Sequence, residues 1–243
     1  MPVTVTPESV ISAAVAAARN RVSAAAARAG RDAAEVRLIA VTKTVASERV
    51  REAVDAGVRE LGENRVQEAL AKQAALPTGL IWHLIGHLQT NKAGRAAGAF
   101  SVVHSVDSLR VAEALATRRP EELADLEVLL EVELTGLPGH TGFTAEALDE
   151  GLRAVAAVPR LRLSGLMTMA PPAKDAEKTR PVFARLRRLR DDLQQRSGMA
   201  LPELSMGMSD DFEVAVEEGS TMVRLGRVLF GERPSRWPGR LDA

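Results

Sequence analysis

The chain is 243 residues long and balances 32 Lys+Arg against 32 Asp+Glu, so it has no net field to draw nucleic acid or an anionic membrane. Only 3% of residues are aromatic and none is cysteine, which argues against base-stacking platforms and excludes disulfides, thiolate metal sites and a cysteine nucleophile. No apolar stretch is long enough to span a bilayer and nothing resembles a secretory signal, so the cytoplasm is the expected compartment.

The N-terminal segment, rich in Ala, Arg and Ser, has a composition also found in transit peptides, but it reads better as a native helix. Thr6 can cap it, Pro7 suits the first turn, and Glu8 suits the positive end of the helix dipole. Val10, Ile11, Val15, Ala18 and Val22 then recur at helical spacing. Beyond it, short apolar runs alternate with helical patterns. Strands are expected to begin near Leu38, Val58, Ile81, Val102, Leu126, Leu161, Leu204 and Met222. Helices are expected over 47–55, 65–75, 90–97, 109–117, 144–157, 174–196 and 210–218. Eight strands separated by helices imply an α/β fold with a parallel sheet, and eight is the number that closes a (β/α)8 TIM barrel. An open doubly wound sheet is the alternative, but no glycine-rich dinucleotide fingerprint follows the first strand. Past 223–226 only seventeen residues remain, Pro234 and Pro238 among them, and they hold no convincing eighth helix. The N-terminal helix is therefore expected in the eighth helix's place. No linker divides the chain, so one domain is expected over 1–243, with the helix segment at 1–30 and a tail at 232–243.

Lys43 closes the first apolar run, Leu38 to Thr42. A buried ammonium is costly unless it is paired or gives up its proton, and a lysine so placed can attack a carbonyl and form a Schiff base. Ligands of such barrels sit at the carboxyl ends of the strands. Those ends carry Lys43 on the first strand, Asn64 after the second, and His83, Gly86, His87 and Gln89 after the third. Met167 and Met169 end the sixth, Met208 and Ser209 follow the seventh, and Arg224 and Gly226 end the eighth. Segment 204–231 reads as strand, Gly/Ser turn, helix, strand and Arg-x-Gly. Ser209, just before the helix start Asp210-Asp211-Phe212-Glu213, can bind phosphate oxygens together with neighbouring amides, and Gly226 admits close backbone approach. A lysine for an aldehyde and a cradle for a phosphate together suggest pyridoxal 5′-phosphate (PLP).

Each residue also admits a structural role. Lys43 can snorkel or ion-pair. Ser209 can simply cap the following helix, and Arg224 can pair with a partner such as Glu63. His83 and His87 have i, i+4 spacing, but they lie in a strand-to-loop run without a third ligand, and no metal site is expected. Asp210-Asp211 reads as helix-start charge, and 180–196 as a solvated helix face.

The segments Ala40-Val41-Thr42-Lys43-Thr44, Leu61-Gly62-Glu63-Asn64, Trp82 to Lys92, His104-Ser105-Val106-Asp107, Gly165-Leu166-Met167-Thr168-Met169, and 204–211 with 219–226 carry a resemblance over nearly the whole chain. Together they resemble the PLP homeostasis protein family, also called proline synthetase co-transcribed homologues. The resemblance implies a barrel akin to the N-terminal domain of bacterial alanine racemase. It implies PLP held as a lysine aldimine on Lys43, phosphate contacts around Ser209 and Gly226, and Arg224 near the pyridine nitrogen. The expected cofactor-binding set is Lys43, Asn64, His83, Met167, Ser209, Arg224 and Gly226, with no catalytic residue. Two positions depart from the family pattern: His140 and Val45 stand where many members carry lysines that add secondary PLP contacts.

The resemblance implies no established turnover, and the residues agree. Racemases of the related fold use a lysine on one face of PLP and a tyrosine from a second domain on the other; this chain contains no tyrosine. An arginine can only donate, so a pyridine nitrogen facing Arg224 must stay unprotonated, which makes PLP a weaker electron sink. The expected function is a PLP carrier or buffer that maintains the vitamin B6 pool and supplies apo-forms of PLP enzymes. A closed barrel is also expected to work as a monomer. A PLP-dependent amino-acid racemase is the alternative, and a PLP-free barrel for sugar phosphates is a third reading.

Overall fold

The computed structural model describes residues 9–137 and 141–232; Thr6, Pro7, Glu8, His140, Pro234 and Pro238 lie outside the described residues. Helix α1 (Val10–Arg28) starts after Ser9, not after Thr6. Ser9 is extended, and its hydroxyl accepts a hydrogen bond from the Ser12 amide at 3.1 Å, so the helix cannot run back through it. Ile11, Val15, Ala18 and Val22 are buried as expected, whereas Val10 is 87% exposed and does not belong to the stripe.

Eight parallel strands follow: β1 (Arg37–Val41), β2 (Glu60–Glu63), β3 (Ile81–Leu84), β4 (Val102–Val106), β5 (Leu126–Glu131), β6 (Leu161–Met167), β7 (Glu203–Met208) and β8 (Met222–Leu225). Each pairs with its sequence neighbours, and β1 pairs on one side with β2 and on the other with β8, Leu38 lying opposite Val223. That closure removes the open-sheet alternative. The second strand begins at Glu60 rather than Val58, because the Val58 amide donates to Ala53 O and ends the preceding helix. Gly165 marks the closest approach in the barrel wall: a Cβ there would stand 1.9 Å from Glu203 O, so any larger residue would push β6 from β7.

The helices are α2 (Ser47–Asp55), α3 (Val66–Gln73), α4 (Ala93–Ala99), α5 (Leu109–Ala116), α6 (Leu148–Ala156), α7 (Arg180–Ser197), α8 (Phe212–Glu217) and α9 (Arg227–Phe230). Short 3-10 turns precede α4 and α7. A one-turn eighth-position helix thus exists after β8, contrary to the expectation of none. It is too short to cover the wall, and α1 packs against α2, α8 and α9 in the gap. Arg21–Glu213 at 2.8 Å and Arg28–Glu217 at 2.6 Å bind its outer edge to α8. The main core lies between barrel and helices, while Ile39, Val102, Leu129, Met167 and Met222 form a separate cluster from five strands. At the amino-terminal end, Arg37 lies 3.2 Å from Glu203 and 3.7 Å from both Glu60 and Glu127, closing the floor with opposite charges. A cleft of about 410 Å³ runs under α1 near this end, but Arg19 and Arg59 beside it donate to main-chain carbonyls. No helix among the described residues is long and apolar enough to cross a membrane.

Candidate functional site

A cavity of about 390 Å³ opens at the carboxyl end of the strands. Lys43, Asn64, Ser209, Arg224 and Gly226 all line it, so five residues from four strand ends, far apart in sequence, converge as expected. His83 and Met167 do not line it. His83 lies within β3, flanked by Trp82 and Leu84 of the outer core, so strand alternation turns its ring into the barrel below the mouth. Met167 belongs to the interior cluster, and Met169, two residues on, is the methionine at the cavity wall.

Lys43 is half-buried and stands two residues past the end of β1, in a turn closed by the Val45 amide on Thr42 O at 2.9 Å. The next residue, Thr44, has φ +63°, a conformation that β-branched residues rarely hold. Its amide donates to Glu68 Oε1. On the other side of Lys43, Thr42 Oγ1 donates to Glu63 Oε1 at 2.6 Å. Lys72 Nζ, buried, donates to Thr42 O and Glu63 Oε1 at 2.6 Å each and to Glu68 Oε1 at 3.0 Å. Burial pushes the Glu63 carboxyl up, against the opposing hydrogen bonds from Lys72 and Thr42. Glu63 is therefore the partner of Lys72, and the ion pair with Glu63 that is the alternative structural role for Arg224 does not form.

Arg224 is buried and points its guanidinium at Ser205 Oγ (2.6 Å) and Thr168 O (3.0 Å). Burial pushes it down to about 10, so it remains protonated at neutral pH. Because arginine only donates, the Ser205 hydrogen is directed to His104 Nδ1 at 2.8 Å. His104 then donates through Nε2 to His83 Nδ1 at 2.9 Å, and His83 Nε2 faces Glu60 Oε2 at 3.0 Å. This ordering requires both imidazoles to be neutral, in keeping with the burial that pushes each of them down. A polar line thus runs from the mouth to the floor, and sequence reasoning missed Ser205, His104 and Thr168 within it.

The seventh and eighth strand ends shape the other wall. Gly207 has φ +90°, and a Cβ there would stand 2.5 Å from Ala215 Cβ, so only glycine lets α8 pack this closely on β7. The Met208 amide donates to Asp211 Oδ1 at 2.7 Å. Ser209 does not cap α8. Its hydroxyl accepts from the amides of Gly226 at 3.3 Å and Val228 at 3.4 Å, across the loop at the start of α9. Ser209 and Gly226 line the cavity, and a hydroxyl with a backbone amide at a cavity wall can bind an anion. At the rim Arg227 pairs with Asp210 and lies 3.6 Å from Glu232. His87 pairs with Asp107 at 3.1 Å, separate from buried His83, and among the described residues no three metal-binding side chains cluster.

Glu131, at the end of β5, is buried, with Thr141 Oγ1 3.5 Å from its Oε2. Burial first, then the Asp107 charge, raise its carboxyl to about 7. A raised native value means that the stability tied to this group is fully present below its ordinary value near 4.5 and is lost as pH climbs through about 7. Glu131→Gln should remove that loss. In thermal melts from about pH 5 to 8, the variant should gain on the wild type by about 3 kcal/mol across the range. A constant difference between the two would contradict the assignment.

The closed parallel barrel belongs to the alanine racemase N-terminal domain class, whose family model matches residues 14–234. Within that class, the chain belongs to the pyridoxal phosphate homeostasis protein family. It is 47% identical over 214 residues to the Pyridoxal phosphate homeostasis protein of Pseudomonas aeruginosa, covering 88% of this chain and 91% of that one. PipY of Synechococcus elongatus PCC7942, in a structure with PLP bound, shares 40% identity and a TM-score of 0.80 over 91% of this chain and all of its own. Alanine racemase of Clostridium difficile 630 matches at 16% identity and a TM-score of 0.70, this chain spanning 58% of its length; that likeness is one of fold.

Proposed function

We propose that this protein binds PLP at the barrel mouth, buffers it and delivers it to apo-forms of PLP enzymes, without catalytic turnover. On this reading one barrel domain suffices, working as a monomer in the cytoplasm. The observation that carries it is the convergence of Lys43, Ser209, Gly226 and Arg224 on one cavity, with Ser209 Oγ bonded to the Gly226 and Val228 amides behind it. The donor set suits the cofactor: an amine for the aldehyde, a hydroxyl and amides for the phosphate, and a fixed cation for a ring nitrogen that accepts. Bound PLP supplies an aldehyde that condenses reversibly with amines. Lys43 provides the amine. Ser209 and the two amides hold the dianion. Arg224, pinned by Ser205 and Thr168, donates to the ring nitrogen and keeps it unprotonated, which disfavours carbanion chemistry. A racemase needs a second base facing the lysine, and no tyrosine exists to serve.

Transfer tests the proposal. The protein, loaded with PLP and freed of excess by gel filtration, should lose its visible absorbance when mixed with a PLP-requiring apoenzyme, whose activity should rise in step. With single amino-acid enantiomers in deuterated water it should exchange no α-proton. A protein that emerges from gel filtration without PLP, or that exchanges α-protons through many turnovers, would overturn the reading.

A further inference from the structure

The turn that bears Lys43 is held by groups that do not reach the cavity. Thr44, next to Lys43, sits at φ +63°. A β-branched residue holds such a conformation only when its surroundings over-determine it. Here they do so from both sides. Glu68 Oε1 accepts the Thr44 amide. Lys72 Nζ reaches Thr42 O at 2.6 Å, so the carbonyl before Lys43 is fixed as well. Lys72 also ties the two carboxylates together, Glu63 at 2.6 Å and Glu68 at 3.0 Å, while Thr42 Oγ1 donates to Glu63 at 2.6 Å. The side chain of Lys72 is 7% exposed and that of Glu63 is fully buried. A lysine placed at that cost and given three acceptors on both flanks of one turn has a specific task.

We propose that Lys72, with Glu68 and Glu63, is a clamp that imposes the left-handed turn at Thr44 and thereby aims Lys43 into the barrel mouth. Lys72 is a positioning residue: it touches Thr42 and the carboxylates, not the cavity. α3 carries Glu68 and Lys72 one turn apart, β2 carries Glu63, and the turn after β1 is their common target. The clamp thus couples the helix after β2 to the amine in the turn after β1. As a consequence, a loosened clamp leaves Lys43 present but poorly aimed. The proposal rests on the PLP reading for its functional half, while its conformational half stands independently.

The test uses the full chain with Lys72→Met and Glu68→Ala, each alone and combined with Thr44→Gly. Amide hydrogen exchange at residues 43–45, measured without PLP, reads the turn itself. Both single variants should exchange at least tenfold faster there than the wild type. PLP titration followed by visible absorbance reads the amine, and half-saturation should rise at least tenfold in both. Adding Thr44→Gly should recover most of that affinity, because glycine holds a positive φ without help. A merely structural role for Lys72 would lower thermal stability yet leave half-saturation unmoved and unrescued by Thr44→Gly, and that result would overturn the proposal. Unchanged exchange at 43–45 in Glu68→Ala would overturn it too; Glu68 is 24% exposed on its side chain, so this variant folds even where Lys72→Met, which strands buried Glu63, does not. If the wild type itself takes up no PLP, the functional reading fails while the exchange data still decide the clamp.

Discussion

Lys43→Ala should abolish the visible band that PLP acquires on the wild-type protein and weaken PLP retention at least a hundredfold, about 2.7 kcal/mol. The expectation is clean in this chain because lysines are scarce. It has five: Lys43, Lys72, Lys92, Lys174 and Lys178. Lys43 alone lines the mouth cavity among the described residues. Lys72 is held by three acceptors, and the other three lie outside the lining. Val45 and His140 stand at the two positions where the family resemblance sets further lysines, so on that resemblance a substitute amine is not at hand. The side chain is half-buried in a turn whose backbone is fixed by its neighbours, so the alanine variant should keep its fold. Borohydride reduction and peptide mapping give the check. Label on the Lys43 peptide in the wild type and none in the variant is the expected pair. A variant that binds PLP equally well, with label on another peptide, would move the site.

The barrel was legible because its signals are local and repeated. Each strand is a short apolar run with a helical pattern behind it, and the count of eight implies closure. The misreadings occur where local sequence permits two outcomes that only space decides. Thr6 and Ser9 can both cap a helix, and the extended backbone at Ser9 selects the later start. Helix α9 is four residues long, too short for any periodicity to register. Ser209 precedes a helix and so looks like its cap, yet its hydroxyl turns to amides about seventeen residues downstream. For His83, alternation with Trp82 and Leu84 could have shown an inward ring, but not that Arg224, Ser205 and His104 stand between it and the mouth. The Glu68–Lys72 spacing reads as an ordinary surface pair on a helix. Its burial against Thr42 and Glu63 depends on how α3 docks, which no window of sequence encodes.

The anion cradle carries the second large expectation. Ser209→Asp should raise the PLP concentration for half-saturation at least a hundredfold while changing that for pyridoxal, which has the same aldehyde and ring but no phosphate, less than about threefold. The carboxylate would take the hydrogen bonds that Gly226 and Val228 now give to the serine hydroxyl and would meet the incoming dianion with a like charge. Two like charges at about 5 Å in a partly shielded site repel by about 3 kcal/mol, which is the size of the effect. The same change should not harm the fold, since a carboxylate beside the first amides of α9 is favourably placed. Two measurements should therefore part company. The melting temperature without PLP should hold or rise, and the rise that PLP confers on the wild type should vanish, because stabilisation by a ligand requires that it bind the native state. A matched loss for PLP and pyridoxal would mean that Ser209 acts on the shape of the mouth and that the phosphate is bound somewhere else.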